Sequence, residues 1–475
     1  MTPAGTESNP LRVAIIGSGP SGFYAAEHLQ KQKGLSVEID MFDRLPTPFG
    51  LVRGGVAPDH QKIKSVTKVY DRIASKSSFN FFGNVSFGKD LSYADLHQHY
   101  HAVIYAVGAQ TDRNLGIPGE ELPGSHAATE FVAWYNGHPD FRKRKFDLTQ
   151  ESVAIIGVGN VAMDVARILA RSRAELEATD IADYALEALA NSSVKNIYVL
   201  GRRGPAQAAF TTPEIKELGE MEEADIIIDP ADLELDPLSQ EYLASGHADQ
   251  KDVRNVEIMR EYAQRPPSGK PKRIYLRFLV SPVELSGEAR VESIRVVKNE
   301  LYRMESGDLR PRPTQEYEDI PAGLVFRSVG YRGVKLPDVP FYEKWGIIPN
   351  KAGRVLTDHE DGQIVRGNYV VGWIKRGPSG VIGTNKPDAV ETVECLLEDV
   401  RTGAVLEPTA PQPESIPAML SKRGVRYVSY EDWRTLDRLE IERGLAIGRP
   451  RLKFSSVSEM LAALEGTRTT DPTAD

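Results

Sequence analysis

The chain has 475 residues, 41% of them hydrophobic and 26% charged, which is an ordinary globular composition with room for two or three domains. The net charge of −9 argues against a general nucleic-acid binder, and no apolar run approaches the roughly 18 residues of a membrane span. A single cysteine, Cys395, excludes a disulfide framework, an internal redox pair and a cysteine-ligated iron–sulfur cluster. Because the N-terminus has no signal or transit pattern, we expect a soluble cytoplasmic protein without membrane insertion.

The first motif in chain order is a glycine-rich turn. The run VAIIGSGPSGFYAAEHL (13–29) predicts a buried strand, a GxGxxG turn and a helix. The glycines permit the tight turn, the approach of a pyrophosphate and the packing of helix on strand. Asp43 follows the next predicted strand, where a carboxylate suits an unphosphorylated ribose, as in FAD. The predicted cofactor contacts of this turn are Gly17, Gly19, Pro20, Ser21 and Gly22.

A second such turn lies about 140 residues later in VAIIGVGNVAMDVARILA (153–170), with Gly157 and Gly159. After a segment of helical character (171–192), the predicted strand NIYVL ends in Arg202 and Arg203 instead of a carboxylate. Two guanidiniums match the geometry of a 2′-phosphate, so the second site is predicted to bind NADP(H). The alternative, that both arginines are solvated loop charges, stays open at this point.

A third unit, NYVVGWIKRGPSGVIGTNKPDAVETVECLLEDV (368–400), predicts a buried strand, a glycine-rich turn and a helix. The helix is expected to begin at Pro387 with Asn385 as its cap. Its positive end would favour the flavin pyrimidine edge, although a structural crossover is the other interpretation.

Several segments resemble the signature segments of the adrenodoxin reductase family, the NADPH-dependent ferredoxin reductases of mitochondria and their bacterial relatives. They include DRLPTPFGLVRGGVAPDHQKIK (43–64), GRRGPAQAAFTTPEIKEL (201–218) and GWIKRGPSGVIGTN (372–385). The resemblance is collinear from about residue 11 to 465. It implies FAD bound by the N- and C-terminal portions, NADPH bound by a domain inserted between them, and a separate iron–sulfur ferredoxin as electron partner.

The resemblance also implies individual contacts. Those for FAD are Ser21, Asp43, Leu51, Val85, Trp373, Gly380, Val381 and Ile382, and those for NADP are Val158, Gly159, Asn160, Val161, Arg202, Arg203, Glu214 and the shared Gly380. His60 and Asp164 resemble a catalytic pair near the flavin on a proton route, with purely structural roles as the alternative. The chain departs from the family at Asp43, often Glu, and at Gly54, often aromatic. No metal site is predicted.

The predicted fold is α/β, with two Rossmann-like, three-layer nucleotide-binding domains and the NADP domain inserted into a discontinuous FAD domain. The expected boundaries are 11–109 for the first FAD part, 110–330 for the NADP domain, 331–405 for the second FAD part, and 406–475 for an appended segment. The stretch 229–273 is expected to be irregular and outside the sheet. A linker follows residue 405, helices are expected at 431–445 and 456–464, and the tail from 465 is expected to be disordered.

The predicted function is hydride transfer from NADPH to FAD, followed by two one-electron transfers to an acidic ferredoxin. The basic runs at 142–145 and 270–273 are candidates for steering that partner, or are solvated surface charge. A thioredoxin-type disulfide reductase and a glutamate-synthase-like subunit both need cysteines that the chain lacks. A non-enzymatic FAD- and NADP(H)-binding redox sensor and an electron-input subunit of a larger complex remain as alternatives.

Overall fold

The computed structural model describes residues 3–470, with side chains through residue 467. In chain order the strands are β1 (Leu11–Ile16), β2 (Val37–Phe42), β3 (Phe79–Phe82), β4 (Ala102–Tyr105), β5 (Thr111–Asp112), β6 (Ser125–Ala127), β7 (Ser152–Ile156), β8 (Asn196–Leu200), β9 (Ala224–Ile228), β10 (Lys272–Arg277), β11 (Val280–Ser286), β12 (Ser293–Arg303), β13 (Leu309–Pro321), β14 (Leu324–Arg327), β15 (Tyr331–Arg332), β16 (Asn350–Lys351), β17 (Arg354–Leu356) and β18 (Ile364–Val370).

The α-helices are α1 (Pro20–Gln30), α2 (Leu51–Gly54), α3 (Gln61–Lys64), α4 (Thr67–Ala74), α5 (Tyr93–His99), α6 (Ala128–Tyr135), α7 (Asn160–Ala170), α8 (Arg173–Glu177), α9 (Asp183–Ala190), α10 (Thr212–Gly219), α11 (Pro237–Ala244), α12 (Gln250–Ala263), α13 (Trp373–Arg376), α14 (Asn385–Thr402), α15 (Ser415–Lys422), α16 (Tyr430–Leu445) and α17 (Val457–Thr470). Among the described residues, no helix is both long and apolar enough to cross a bilayer.

A seven-stranded sheet contains the first glycine turn. Its strand order is β16-β17-β18-β4-β1-β2-β3, so β18, from late in the chain, lies beside β4 from the N-terminal part. Strands β18, β4, β1, β2 and β3 are parallel, and all six residues of β1 are buried, as helices on both faces of a parallel sheet require. Helix α1 packs against α14, which joins the first and third glycine turns.

A six-stranded parallel sheet contains the second turn, in the order β6-β14-β7-β8-β10-β9. Strand β10 lies between β8 and β9, so the expectation that residues 229–273 are irregular and outside the sheet is wrong at its C-terminal end. The same stretch also contains α11 and α12. The strand KRIYLR has only two fully buried residues, Ile274 and Leu276, so its apolar pattern is too short to stand out beside the charged stretch that precedes it.

The second sheet is inserted into the first, as the sequence predicts. The chain leaves the seven-stranded sheet after β4 and returns after β14, and both crossings meet in an antiparallel ribbon where Tyr331 pairs with Asp112 and Arg332 with Thr111. A three-stranded antiparallel sheet, β11-β12-β13, was not predicted. Its strands carry many charged residues, and β13 is exposed along most of its length. No apolar run in the sequence therefore indicates these strands.

Two expectations about the C-terminal third are wrong. Helix α14 begins at Asn385, because a 3₁₀ turn over Ile382–Thr384 leads directly into it, and Asn385 donates to the Ile382 carbonyl (3.0 Å) instead of capping the helix. The expected linker contains no helix or strand over residues 406–414, and its Ala410 amide donates to the carbonyl of Gln98 on α5 (3.0 Å). Helix α16 matches the expectation, whereas α17 continues to Thr470 through residues expected to be disordered; 471–475 lie outside the described residues.

Candidate active site between two nucleotide-binding turns

The first glycine turn has one open position and two closed ones. Gly17 has φ +105°, and a Cβ there would lie 2.6 Å from the Ala106 carbonyl oxygen. A Cβ on Gly22 would lie 2.6 Å from the Gly17 oxygen, whereas a Cβ on Gly19 would meet nothing within 4 Å. Pro20 is the first residue of α1. The chain itself therefore requires Gly17 and Gly22, and the space at Gly19 suits a phosphate at the helix N-terminus.

Asp43 lies directly after β2 and holds the same turn. Its Oδ2 accepts hydrogen bonds from the Ser18 amide (3.1 Å) and hydroxyl (2.5 Å), and its Oδ1 accepts one from the Leu45 amide (3.0 Å). The Val85 amide donates to the Asp43 carbonyl (2.9 Å), which brings these two predicted contacts together. Leu51 begins α2 and is partly exposed.

The third turn touches the first. Gly372, with φ +78°, lies so close to Ser21 that a Cβ there would be 2.5 Å from the Ser21 hydroxyl oxygen. The next residue, Trp373, donates from Nε1 to the Ser379 carbonyl (3.2 Å), which fixes the indole over the turn. The turn continues through Gly380, Val381 and Ile382, of which Val381 is exposed. The structure thus brings both predicted FAD segments to one place.

The second turn repeats the geometry of the first. Gly157 has φ +129°, and a Cβ there would lie 2.2 Å from the Ser328 carbonyl oxygen, whereas a Cβ on Gly159 would meet nothing within 4 Å. Val158 accepts a backbone hydrogen bond from Ala209 (2.9 Å). The open position again lies at a helix N-terminus, here that of α7.

Asn160 and Val161 form the start of α7. The Asn160 Oδ1 accepts from the Thr211 amide (2.8 Å), which fixes the segment between β8 and α10 against the turn. Val161 is partly buried against the core of the six-stranded sheet. Both predicted NADP contacts therefore lie at the turn, although the Asn160 side chain already has an intramolecular partner.

Arg202 and Arg203 follow β8 directly. The three-stranded sheet holds their backbone, since Asn299 Nδ2 donates to the Arg202 carbonyl (2.9 Å) and the Leu279 amide donates to that of Arg203 (3.1 Å). Within residues 3–467, neither guanidinium has a carboxylate within ion-pair distance. Burial and the neighbouring charges of Arg202 and Arg310 lower the pKa of Arg203. This concentration of unpaired positive charge suits a dianionic phosphate.

His60 and Asp164 meet between the two sheets, but not as a hydrogen-bonded pair. Their closest atoms, Nδ1 and Oδ1, are 3.8 Å apart, which exceeds hydrogen-bond distance. His60 Nε2 is instead 2.8 Å from Glu217 Oε2, and Asp164 Oδ1 accepts from Arg167 Nη2 at 2.5 Å. The predicted pair is therefore close in space, with Glu217 and Arg167 as the direct partners.

The charges of this cluster shift several pKa values. Burial and the nearby Asp164 raise the pKa of Glu214 to about 7. Burial alone would lower the pKa of His60, but the hydrogen bond to Glu217 and the charge of Asp164 raise it overall. Burial raises the pKa of Asp164 despite the adjacent Arg167. The cluster therefore favours the protonated forms of Glu214, His60 and Asp164 relative to the same groups in water.

Among the described residues, His60, Glu214 and Glu217 offer ligand atoms within 4.8 Å of one another, as a metal site would. However, Arg167 Nη1 lies 3.0 Å from Glu214 Oε2 and 3.4 Å from Glu217 Oε2. A side-chain guanidinium thus already supplies the cation that balances both carboxylates.

Sequence reasoning missed five residues of this cluster, namely Asp59, Tyr135, Arg167, Glu217 and Tyr331. Spacing could have suggested two of them, because Arg167 and Glu217 lie three positions after predicted site residues on α7 and α10 and so share a helix face. Tyr331 packs on Trp373, with ring centroids 5.2 Å apart. The buried hydroxyl of Tyr135 has no hydrogen-bond partner among the described residues.

The two basic runs differ in their environment. In the first, Arg142 pairs with Glu459 and Arg144 with Glu130, whereas Lys143 and Lys145 are exposed. In the second, Lys270 Nζ donates to the Met221 carbonyl (2.6 Å) and Lys272 Nζ to that of Leu169 (2.9 Å). The lysines of the second run are therefore largely engaged in holding the six-stranded sheet together.

Comparisons with known proteins agree with this geometry. Residues 11–200 match the family described as pyridine nucleotide-disulphide oxidoreductase. The chain is 46% identical over 454 residues to NADPH-ferredoxin reductase FprA of Mycobacterium leprae, covering 94% of this chain and 97% of the relative. It is 40% identical to the mitochondrial NADPH:adrenodoxin oxidoreductase of Arabidopsis thaliana, covering 96% of each. The structure of Mycobacterium tuberculosis FprA in complex with NADPH superposes with a TM-score of 0.91 at 44% identity, covering 96% of this chain and all of that one.

Proposed function

Because this chain belongs to the adrenodoxin reductase family of NADPH–ferredoxin reductases, we propose that it transfers electrons from NADPH through FAD to an iron–sulfur ferredoxin. It is an oxidoreductase with FAD and NADP(H) as cofactors. The observation that carries the proposal is the pair of glycine turns. The first is followed by the Asp43 carboxylate, and the second by two arginines without a carboxylate partner among the described residues. The two sheets that contain these turns meet at His60. FAD held at the first and third turns would supply the conversion between the two-electron chemistry of NADPH and the one-electron chemistry of a ferredoxin.

The first and third turns fit FAD. Gly19 leaves room for the pyrophosphate, and Asp43 holds the turn and keeps acceptor capacity for a ribose hydroxyl. We assign further FAD contacts to the residues that lie around these turns, namely Gly17, Pro20, Ser21, Gly22, Leu51, Val85, Trp373, Gly380, Val381 and Ile382. The close approach of Ser21 and Gly372 supports one continuous site.

The second turn fits NADP(H). Gly159 is open at the N-terminus of α7, and Arg202 and Arg203 supply the positive charge for a 2′-phosphate. We assign the remaining contacts to Gly157, Val158, Asn160, Val161 and Glu214, with Gly380 shared between the nucleotides. Glu214 is buried on α10 and receives one hydrogen bond, from Arg167.

We place the proton route of the reaction at His60 and Asp164. His60 Nε2 lies 2.8 Å from Glu217 Oε2, and this hydrogen bond raises the pKa of His60 against the effect of burial, which favours the protonated imidazole. Asp164 lies 3.8 Å from the other ring nitrogen. These side chains can hold and release the proton that accompanies electron transfer.

We propose a division of the chain into segments: residues 11–109 and 331–405 for FAD, 110–330 for NADP(H), and 406–475 as an appended C-terminal segment. The partner is proposed to be a separate acidic ferredoxin, and the enzyme to act in the cytoplasm. The exposed Lys143 and Lys145 are available for a negatively charged surface.

The test is anaerobic reduction of a purified iron–sulfur ferredoxin by the holoenzyme and NADPH. The loss of ferredoxin absorbance measures the reaction. We expect two ferredoxins reduced per NADPH, and a rate that falls with added salt because the partner charges are screened. Binding of NADP⁺ without any reduction of ferredoxin would contradict the proposal and favour a redox sensor.

A further inference from the structure

Arg167 is the largest side chain that the structure buries completely. It lies on α7, one helical turn after Asp164 and two turns after the second glycine turn. An arginine is rarely fully buried unless its charge is balanced. The position therefore calls for a function that a smaller apolar residue could not supply.

The guanidinium contacts carboxylates from three separate parts of the chain. Nε donates to Asp59 Oδ2 (2.6 Å), Nη2 donates to Asp164 Oδ1 (2.5 Å), and Nη1 donates to Glu214 Oε2 (3.0 Å). Nη2 also reaches Asp59 Oδ1 (3.2 Å). Asp59 lies in the segment between α2 and α3, beside the seven-stranded sheet, whereas Asp164 and Glu214 lie on α7 and α10 of the six-stranded sheet.

The same contacts reach His60 by two paths. Asp59 immediately precedes His60, so the two bonds from Arg167 to Asp59 fix the backbone that carries the histidine. Glu217 Oε2, which contacts His60 Nε2 at 2.8 Å, is also 3.4 Å from Arg167 Nη1. The Arg167 guanidinium thus contacts the proposed NADP contact Glu214. It also contacts Asp59, which precedes His60 in sequence, and Glu217, which contacts the His60 ring.

We propose that Arg167 is a positioning residue that couples the NADP(H) site to the flavin-side segment carrying His60, through Glu214 on one side and Asp59 on the other. The inference rests on the proposed function, because it takes Glu214 as an NADP contact. Arg167 sets the position of the Glu214 carboxylate for the nucleotide, and through Asp59 it holds the segment that carries His60 in place against α7.

The geometry requires arginine. A planar guanidinium presents five N–H donors in a fixed fork, and here they point to three carboxylates in different directions. A lysine ammonium keeps the charge but has its three donors on one atom at the end of a flexible chain. Arg167→Lys therefore tests position separately from charge.

The experiment measures two quantities in the flavin-loaded enzyme: the Kd of NADP⁺, from the perturbation of flavin absorbance, and the rate of flavin reduction by NADPH in anaerobic stopped flow. We expect Arg167→Lys to raise the Kd and to slow reduction, each by about tenfold, within the range of typical coupling between sites. Glu214→Gln should raise mainly the Kd, whereas Asp59→Asn should slow mainly the reduction.

The decisive comparison is the double variant Arg167→Lys with Glu214→Gln. If Arg167 acts through Glu214, adding Arg167→Lys to the Glu214→Gln enzyme changes the Kd by less than twofold. Independent, multiplying effects on the Kd would overturn the inference while leaving the reductase function intact. Failure of the wild-type enzyme to bind NADP⁺ would instead contradict the proposed function.

Arg171→Gln is the matched control. Arg171 also donates to Asp59 (2.8 Å) and pairs with Glu175, but it has no ion pair with Glu214 or Glu217. We expect a Kd within twofold of wild type. If the Arg167→Lys enzyme does not retain flavin, the test rests on Asp59→Asn alone. Slower flavin reduction, with flavin bound and a Kd of NADP⁺ within threefold of wild type, supports the coupling. An unchanged rate of flavin reduction overturns it.

Discussion

The two dinucleotide-binding turns have the same backbone and opposite charges. In each, the first glycine has positive φ and would clash with a carbonyl if it carried a Cβ, and the second glycine opens onto free space. After the first, Asp43 bonds back to Ser18 of its own turn, whereas after the second, Arg202 and Arg203 have no carboxylate partner among the described residues. The backbone therefore supplies a pyrophosphate site in both cases, and one or two residues after the next strand determine which nucleotide fits.

The two sites also differ in whether the charged groups after the next strand have a partner within the chain. The Asp43 carboxylate accepts hydrogen bonds from two residues of its own chain, so that turn is held before a ligand arrives. The arginine pair concentrates positive charge, with the pKa of Arg203 lowered by burial and by its neighbours, and this charge is relieved when an anion binds. The second site should therefore depend more on its ligand's charge than the first.

The largest expected effect comes from removing the charge of the second turn. In Arg202→Ala/Arg203→Ala, two charge-assisted contacts to phosphate are lost at about 1.5–3 kcal/mol each, so the Kd of NADP⁺ should rise at least 100-fold while that of NAD⁺ changes little. Titration of the holoenzyme with each nucleotide measures this. Lys33→Ala/Lys76→Ala, which removes two exposed lysines elsewhere, is the control and should leave both values unchanged. An equal rise in the Kd of NADP⁺ and of NAD⁺ would contradict the assignment of a 2′-phosphate site to Arg202 and Arg203.

The second prediction separates the two glycines of one turn. Gly157→Ala places a methyl group 2.2 Å from the Ser328 oxygen at φ +129°, so we expect destabilisation of about 3 kcal/mol, seen as a lower Tm. Gly159→Ala meets no protein atom within 4 Å, so its Tm should stay within a degree or two while the Kd of NADP⁺ rises. If Gly159→Ala lowered the Tm as much as Gly157→Ala, the open space would not be a ligand site.

The third prediction concerns the acid of the first turn. Asp43→Asn keeps the shape of the side chain but removes its charge and one acceptor for Ser18, so FAD should dissociate about tenfold faster, consistent with 1–2 kcal/mol for such a hydrogen bond. Release of flavin fluorescence during dilution measures the rate. NADP⁺ affinity of the remaining holoenzyme should not change; a parallel loss of NADP⁺ binding would show that the two turns are not independent.

The last prediction is a pH dependence of the free energy of unfolding. Glu214 has a pKa of about 7 in the folded protein, above the ordinary value, so the folded state retains a proton that the unfolded chain releases. The stabilisation is fully present below about pH 4.3 and is lost as the pH rises through 7. Glu214→Gln should therefore remove a loss of about 2–3 kcal/mol in the free energy of unfolding between pH 5 and 8, measured by urea unfolding at both pH values. An identical pH dependence in the variant would contradict the assignment.

Local signals predicted the fold where neighbouring residues determine it. The glycine turns and the charges after β2 and β8 follow from spacing and apolar runs within about 50 residues, and the structure places them as predicted. Strand β10 and the three-stranded sheet were missed because β10 has only two buried residues and β13 has only one. Strand β10 is also inserted between two strands that precede it in the chain, which no local pattern shows.

The candidate site was predicted only in part for a related reason. His60 and Glu217 are 157 residues apart in sequence, so no local pattern could pair them. Arg167 contacts Asp59 across 108 residues, and its role depends on how the two sheets meet. Spacing identified the groups that bind nucleotides, whereas the groups that connect the two sites required the three-dimensional structure.

The most direct test of the central claim is anaerobic stopped-flow absorbance of the wild-type holoenzyme mixed with NADPH and, separately, with NADH. We expect the protein to carry FAD and its flavin absorbance to bleach rapidly with NADPH and at least 100-fold more slowly with NADH, because only NADPH has the 2′-phosphate that Arg202 and Arg203 would bind. Absence of bound flavin, or equal rates with the two nucleotides, would contradict the assignment of the two turns.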